Sequence, residues 1–416
     1  MRILVVSQYY WPEPFNIADI CEELVLRGHE VTVLTGFPNY PEGRLYPGYE
    51  HMSRLVEERN GVFIVRVPLH PRGEGAFNRL LNYETFSRRA SREARRLGAG
   101  FDVVLAYEVS PVMSASPALA YAEKYRVPAL IYVLDIWPEC LVSGGIAKNS
   151  LAYRYYKRVS RRIYSQADLL LLSSPGFQQY LDGLPVSDGR YRYLPQYAEE
   201  LFTVAPSENG TIALPEGYGP DGVDVTFAGN VGAAQSVDTL VRAAPLLDEG
   251  IRLHVVGSGS ELDACKKIAG ELGARNVFFH GRRDLSEMPT FYAASDALVV
   301  SFANDPVVGY TLPRKVQTYL AAGRPLLGSV VGEARRVIEE AQCGMCAPSE
   351  DPAAFAETCN RFARSTDAQR HAWAVNARDY YEDKFSRPRF FDELDDVLRC
   401  AVRDFQKEIA DGCIQR

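Results

Sequence analysis

Short apolar runs alternate along this chain with stretches in which apolar positions recur every third or fourth residue. The first pattern marks strands buried on both faces, the second amphipathic helices. "RILVVSQ", "HEVTVLTG", "VFIVRVP", "FDVVLAY", "PALIYVLD" and "ADLLLLSS" form a first series of strands, and "IADICEELVLRG", closed by Gly28, is its first helix. A second series follows a Gly/Pro-rich stretch, Pro206 to Gly222, and runs "VDVTFAGNVG", "IRLHVVGSG", "NVFFHGR", "DALVVSF" and "PLLGSVVG". Strand–helix alternation predicts parallel sheets and an α/β fold. Two series predict two facing doubly wound, Rossmann-like domains, 1–205 and 206–385. Ligands are expected at the C-terminal ends of their strands and in a cleft between them. "FFDELDDVLRCAVRDFQKEI" makes 386–416 a helical segment expected to pack back across the domain junction toward the N-terminal domain.

Composition narrows the function classes. A chain of 416 residues exceeds one ordinary core, in keeping with two domains. The net charge of −7 argues against a general nucleic-acid binder. No apolar stretch of about eighteen residues is present to span a bilayer. The start, "MRILVVSQYYWPEP", reaches its prolines too soon for a secretory leader. Eight scattered cysteines suit reduced thiols in a cytoplasm. "CGMC", Cys343 to Cys346, has redox-motif spacing but is read as packing in a loop, and the six histidines show no metal or triad spacing.

The stretch "VVGYTLPRKVQTYLAAGRPLLG", residues 307–328, raises the main chemical question. Pro313 opens a helix that Gly323 and Pro325 end. Its N-terminus carries Arg314 and Lys315, which the helix dipole disfavours by about 0.3–1 kcal/mol each. A bound anion reverses that penalty. Three more loops follow strands of the same domain: "FAGNVGAAQS" with Gly229, Asn230, Gly232 and Gln235, "VVGSGSEL" with Gly257 and Ser258, and "HGRRDLSEM" with Gly281 and Arg282. Singly each is an ordinary turn; together, with paired cations, they form a diphosphate cradle. There is no P-loop, dinucleotide fingerprint or metal-ligating acidic pair between these strands, so cationic side chains are expected to neutralise the diphosphate without metal.

These loops, in this order, resemble the family 4 retaining glycosyltransferases of the GT-B fold. The likeness covers nearly the whole chain, through "LRGHEVTVLTG", "GNVG", "VVGSGSEL", "NVFFHG", "ASDALVV" and "TYLAAGRP". "GFPNYPEG", "VLDIWPE" and "LPQYAEELF" look like the subgroup of L-fucosamine transferases of O-antigen and capsule assembly. The resemblance implies sugar transfer with retention from a nucleotide sugar, a UDP-sugar favoured, to a lipid-linked or other saccharide acceptor, with no separate cofactor. The donor is expected on the C-terminal domain and the acceptor on the N-terminal one. The family carries two glutamates eight positions apart in the loop and helix of the 307–328 stretch; here those positions hold Tyr310 and Thr318. Glu333 is read as the replacement ribose ligand. The family's Arg and Lys after the first strand of the second domain are Asn230 and Gln235, which leaves Lys315 as the main phosphate lysine.

Arg314 and Lys315 would stabilise the charge that develops on the leaving diphosphate. Where the family often has a histidine beneath the sugar, the strand end reads Leu134-Asp135, making Asp135 the catalytic candidate. Acceptor contacts are assigned to Asn16, Asn39, Tyr40, Glu108 and Glu139. Residues 83–97 and 152–167 form two helices with arginine-rich faces, expected to bind an anionic membrane surface and a polyprenyl-diphosphate-linked acceptor. That places the protein in the cytoplasm, peripheral on the inner face of the membrane. Two other readings compete. A non-hydrolysing nucleotide-sugar epimerase shares the fold class, but would need several carboxylates around the sugar and no acceptor loop such as "GFPNYPEGRLYPGYE". A non-catalytic nucleotide-sugar-binding scaffold is motivated by the missing glutamate pair. Screening of UDP-, GDP- and dTDP-sugars separates donor users from the rest.

Overall fold

The computed structural model describes residues 1–73, 75–143, 146–183, 190–203 and 215–411. The chain divides into two compact units: residues 1–173, 177–194 and 391–416 form the first, residues 174–176 and 195–390 the second. The Pro206–Gly222 stretch lies for the most part outside the described residues.

In unit one the strands are β1 (Arg2–Val6), β2 (Glu30–Gly36), β3 (Val56–Arg59), β4 (Val62–Val67), β5 (Val103–Glu108), β6 (Ala129–Val133), β7 (Leu169–Leu172) and β8 (Tyr191–Tyr193). They form one sheet in the order β3-β4-β2-β1-β5-β6-β7-β8, parallel except for β3 against β4. Every residue of β5 and β6 is buried, as continuous apolar runs require. The C-terminal helix, Arg387–Ala410, is part of unit one from Phe391 onward, burying Phe391, Leu394, Leu398 and Phe405. Asp395 of that helix meets His29 at 2.8 Å and Asp392 meets Arg27 at 2.8 Å.

In unit two the strands are β9 (Val223–Ala228), β10 (Ile251–Val256), β11 (Val277–Gly281), β12 (Ala297–Ser301), β13 (Leu326–Ser329) and β14 (Gly344–Ala347). They form a parallel sheet in the order β11-β10-β9-β12-β13-β14. The "CGMC" stretch, expected as a loop, supplies the edge strand β14, and its cysteines are unbridged. Strand order reverses between β1 and β5 in unit one and between β9 and β12 in unit two. The crevice outside the C-terminal ends of the strands at such a reversal is where open α/β sheets bind ligands.

Candidate active site

In unit two, β9 delivers the chain into Gly229. Three strand-end loops are stitched by backbone bonds: Gly229 N–H to the Val256 carbonyl at 2.9 Å, Val231 N–H to that of Ser258 at 2.9 Å, and Gly257 N–H to that of Gly281 at 2.8 Å. The approach is close enough to exclude side chains. A Cβ on Gly257, at φ +147°, would stand 1.8 Å from the Gly229 carbonyl oxygen. Asn230 and Gln235 pair with each other at 3.0 Å, while Arg282 stays exposed on the neighbouring loop.

The Arg314–Ala321 helix starts directly after Pro313, which is its extended N-cap rather than its first helical residue. Tyr319 anchors it to the end of β9: its hydroxyl donates to the Ala228 carbonyl at 2.9 Å and accepts from the Ala228 N–H at 3.0 Å. That anchorage puts Lys315 beneath Gly229. The Lys315 Nζ is buried, has no hydrogen-bond partner among the described residues, and lies 4.2 Å from the Phe227 ring centroid and 5.8 Å from that of Phe302. Burial pulls its pKa down to about 7. Exposed Gly229 offers no side chain to cover it. The two adjacent cations therefore differ in kind. Arg314 is answered by Glu199 at 2.6 Å, a pairing the sequence reading missed, whereas Lys315 faces only aromatic rings and a bare glycine.

Tyr310 and Glu333 come together around Gly176, where a Cβ would stand 2.6 Å from the Tyr310 carbonyl oxygen and 3.1 Å from Glu333 Cγ. Ser174 Oγ donates to the same carbonyl at 2.6 Å and accepts from the Leu312 N–H at 3.0 Å. Residues 174–176, which follow the strand predicted at "ADLLLLSS", thus belong to this site of unit two. Glu333 is buried in the first turn of the Gly332–Glu340 helix, with Oε2 held by Arg336 at 2.8–2.9 Å. Thr318 is buried and returns its hydroxyl to the Arg314 carbonyl at 3.2 Å.

In unit one, Asp135 follows β6 and is half-buried, and burial pushes its carboxyl up to about 7. Glu108 ends β5 and is wholly buried; burial, and secondarily the charge of Asp135, raise it well above the carboxylate range. Tyr164 donates to its Oε2 at 3.3 Å and its Oε1 has no partner. Glu108, assigned to the acceptor, is thus enclosed at the end of β5. Two other residues assigned to the acceptor, Asn39 and Glu139, are also buried. Asn39 is 0% exposed: its amide donates to the Phe37 carbonyl at 2.9 Å, and its oxygen accepts from the Arg72 N–H at 2.8 Å and Asn82 at 3.4 Å. Glu139 is locked by the Tyr153 hydroxyl at 2.5 Å and by Lys148 at 3.4 Å. Tyr40 and Asn16 are half-exposed at the same sheet edge, Asn16 at the N-cap of the Ile17–Leu26 helix. Glu13, not singled out from sequence, organises the loops there. Its carboxylate accepts from the N–H groups of Tyr10, Asn39 and Tyr40 at 3.1, 2.8 and 2.7 Å, and burial holds it up at about 7.

Two family models match the chain, one described as a glycosyl transferase 4-like domain over residues 16–196, the other as glycosyl transferases group 1 over residues 222–365. The chain is 30% identical over 279 residues to the probable glycosyltransferase WbjE of Pseudomonas aeruginosa, an alignment covering 65% of this chain and 67% of that protein. It is 22% identical to the putative colanic acid biosynthesis glycosyl transferase WcaI of Escherichia coli K12, across 78% of this chain and 82% of that one. Among solved structures, Anabaena HepE in complex with UDP-glucose shares the fold with a TM-score of 0.66 at 14% identity, covering 99% of this chain and 100% of HepE.

Proposed function

This protein belongs to the family 4 glycosyltransferases of the GT-B fold, and on that premise we propose that it moves a sugar from a UDP-sugar to a saccharide acceptor, with retention and without metal. The observation that carries the donor assignment is the buried, partnerless ammonium of Lys315 under Gly229. An uncompensated buried charge is costly, and a diphosphate offsets it. In the transfer, the C1–O bond to the diphosphate breaks while the acceptor oxygen bonds C1 on the same face. The acceptor proton passes to the leaving phosphate oxygen. Lys315 stabilises the charge that develops there; a well-placed donor of this kind is worth roughly 3 kcal/mol. Asp135 supports the positive charge growing on the sugar, and Glu333 holds the ribose. The UDP preference is supported by the UDP-glucose bound to HepE, and a role in surface polysaccharide assembly by the colanic acid assignment of WcaI. The motifs "GFPNYPEG" and "VLDIWPE" favour an N-acetylaminosugar of the L-fucosamine class. A lipid-linked acceptor is supported by the basic and apolar helix surfaces of unit one.

Calorimetric screening of UDP-, GDP- and dTDP-sugars tests the donor, followed by NMR of the product anomeric configuration with and without EDTA. Binding of a UDP-sugar and an axial-to-axial or equatorial-to-equatorial transfer that survives EDTA is expected. Inversion, or activity restored only by Mg²⁺ or Mn²⁺, overturns the corresponding part.

A further inference from the structure

We propose that Arg72, beside the half-exposed Tyr40, forms a phosphoryl-binding subsite in unit one that receives the diphosphate of the acceptor. This rests on the glycosyl-transfer reading above and adds a recognition element to it. Arg72 lies between β4 and the Gly75–Ala94 helix, close to the C-terminal ends of β1 and β2. Two contacts fix the backbone at Arg72 and Gly73. The Arg72 N–H donates to buried Asn39, and the neighbouring Gly73 lies so near Gly43 that a Cβ on Gly43 would stand 2.7 Å from the Gly73 nitrogen.

The guanidinium itself has no carboxylate partner among the described residues. Its Nη1 lies 3.4 Å from the hydroxyl of buried Tyr9, and its Cζ lies 5.1 Å from the Tyr40 ring centroid. The contrast with Arg66 is direct. Arg66 is buried and fully answered, by Glu57 at 2.5 Å and the carbonyls of Gly36 at 3.0 Å and Trp11 at 2.6 Å. Glu13, the acid of the same loop cluster, is turned to backbone N–H groups instead of Arg72. A half-buried guanidinium lacking a counter-charge, held by a fixed loop, matches the planar bidentate geometry of a phosphoryl group. The Tyr9, Phe15 and Tyr40 rings, with centroids 4.9–5.4 Å apart, form an apolar wall beside it for the group attached to the phosphate.

Geranyl diphosphate serves as the probe, with geraniol as the uncharged control, titrated calorimetrically into the full chain holding saturating UDP. The wild type should bind the diphosphate, and Arg72→Gln should weaken that binding roughly ten- to a hundredfold while the UDP affinity stays within about twofold. Arg72→Lys, which keeps the charge but not the fork, should fall between. Equal binding of the probe by wild type and Arg72→Gln overturns the subsite. So does a wild type that ignores the probe, or a loss confined to UDP, which would assign Arg72 to the donor. Failure of UDP to bind the wild type strikes the donor reading instead; the probe titration, repeated on Lys315→Ala, still decides the role of Arg72.

Discussion

A Cβ on Gly229 would stand 2.9 Å from Lys315 Nζ, and Gly229 holds φ at +141°. The missing side chain thus serves two purposes, a backbone angle that L-residues avoid and room for the buried ammonium beneath it. Gly229→Ala is expected to strain the loop by more than about 1 kcal/mol and to crowd the lysine. Lys315→Ala removes the cation while relieving a buried charge, so its fold should survive by circular dichroism. UDP affinity should fall roughly ten- to a hundredfold in the lysine variant. Retention of both donor affinity and turnover in Lys315→Ala would remove the lysine from the site.

The same lysine makes donor binding pH-dependent. Its pKa is lowered by burial from 10.5 to about 7. Between these values the unfolded chain holds one proton more than the ligand-free fold, so this group's contribution to stability rises with pH across that window. A bound diphosphate favours the ammonium. Above pH 7, binding must therefore take up a proton, and UDP affinity should drop by up to about tenfold per pH unit. Calorimetry in buffers of differing ionisation heat reads the proton uptake directly. A UDP affinity that is flat from pH 6.5 to 9 would mean that Lys315 does not meet the diphosphate.

The sequence showed the sheets better than the site. Strands such as "VVLAYE" are buried on both faces, and their continuous apolar runs announce them. Strands β3, β8 and β14 read "VEER", "YRY" and "GMCA"; they are short, and no apolar run distinguishes them from loop. The Arg314–Ala321 helix was legible from Pro313 and Gly323, because caps are local signals. What separates Arg314 from Lys315 was not legible, since Glu199 and Phe227 reach them from distant positions in the chain. The burial of Asn39 was not legible either, because Phe37 lies beside it in the chain but Arg72 and Asn82, which engage its side chain, do not.

Asp135→Asn should separate chemistry from donor binding. The carboxyl is pushed up to about 7 by burial, with buried Glu108 at the end of the adjacent strand. Activity that needs the carboxylate should therefore rise with pH through about 7 and lose this limb in the asparagine variant. A fall in kcat of roughly 10²–10⁴ with unchanged UDP affinity is the expected pattern. An unchanged pH profile in Asp135→Asn would exclude the residue from the reaction.

Glu333→Gln should act mainly on donor affinity. Oε2 is held by Arg336, which fixes the carboxylate in the first turn of its helix and leaves Oε1 for ribose hydroxyls. Loss of a charged acceptor predicts UDP binding weaker by roughly ten- to a hundredfold, with kcat little changed. Thr318→Val should cost less, because that hydroxyl is already directed to the Arg314 carbonyl. The reverse ranking would give the ribose to Thr318.

Unit one is expected to bind anionic membranes through two helices, Gly75–Ala94 and Leu151–Gln166. Trp137 brings them together, with ring centroids 6.2 Å from Tyr83 of the first and 5.4 Å from Tyr156 of the second. Their early turns expose Phe77 by 70%, Leu80 by 37%, Leu151 by 81% and Tyr155 by 53%. The basic faces are not free of acids: Arg88 meets Glu84 at 3.1 Å and Arg95 meets Glu123 at 3.2 Å. Such exposed pairs are weak, worth about 0–1 kcal/mol. Among the described residues Arg89, Arg92, Arg154, Arg158, Arg161 and Arg162 form no ion pair, and basic residues near an anionic surface contribute about 1 kcal/mol each. No described helix is long and apolar enough to cross a membrane, so the attachment proposed is to the surface. Salt shortens the Debye length to about 3 Å at 1 M, and co-sedimentation with anionic vesicles should fall accordingly. Replacing Arg88, Arg92, Arg158 and Arg162 by Gln should remove the salt-sensitive part, and Phe77→Ser with Leu151→Ser the part that persists at high salt. Equal sedimentation of wild type and the arginine variant at low salt would reduce the basic faces to ordinary solvated helix surfaces.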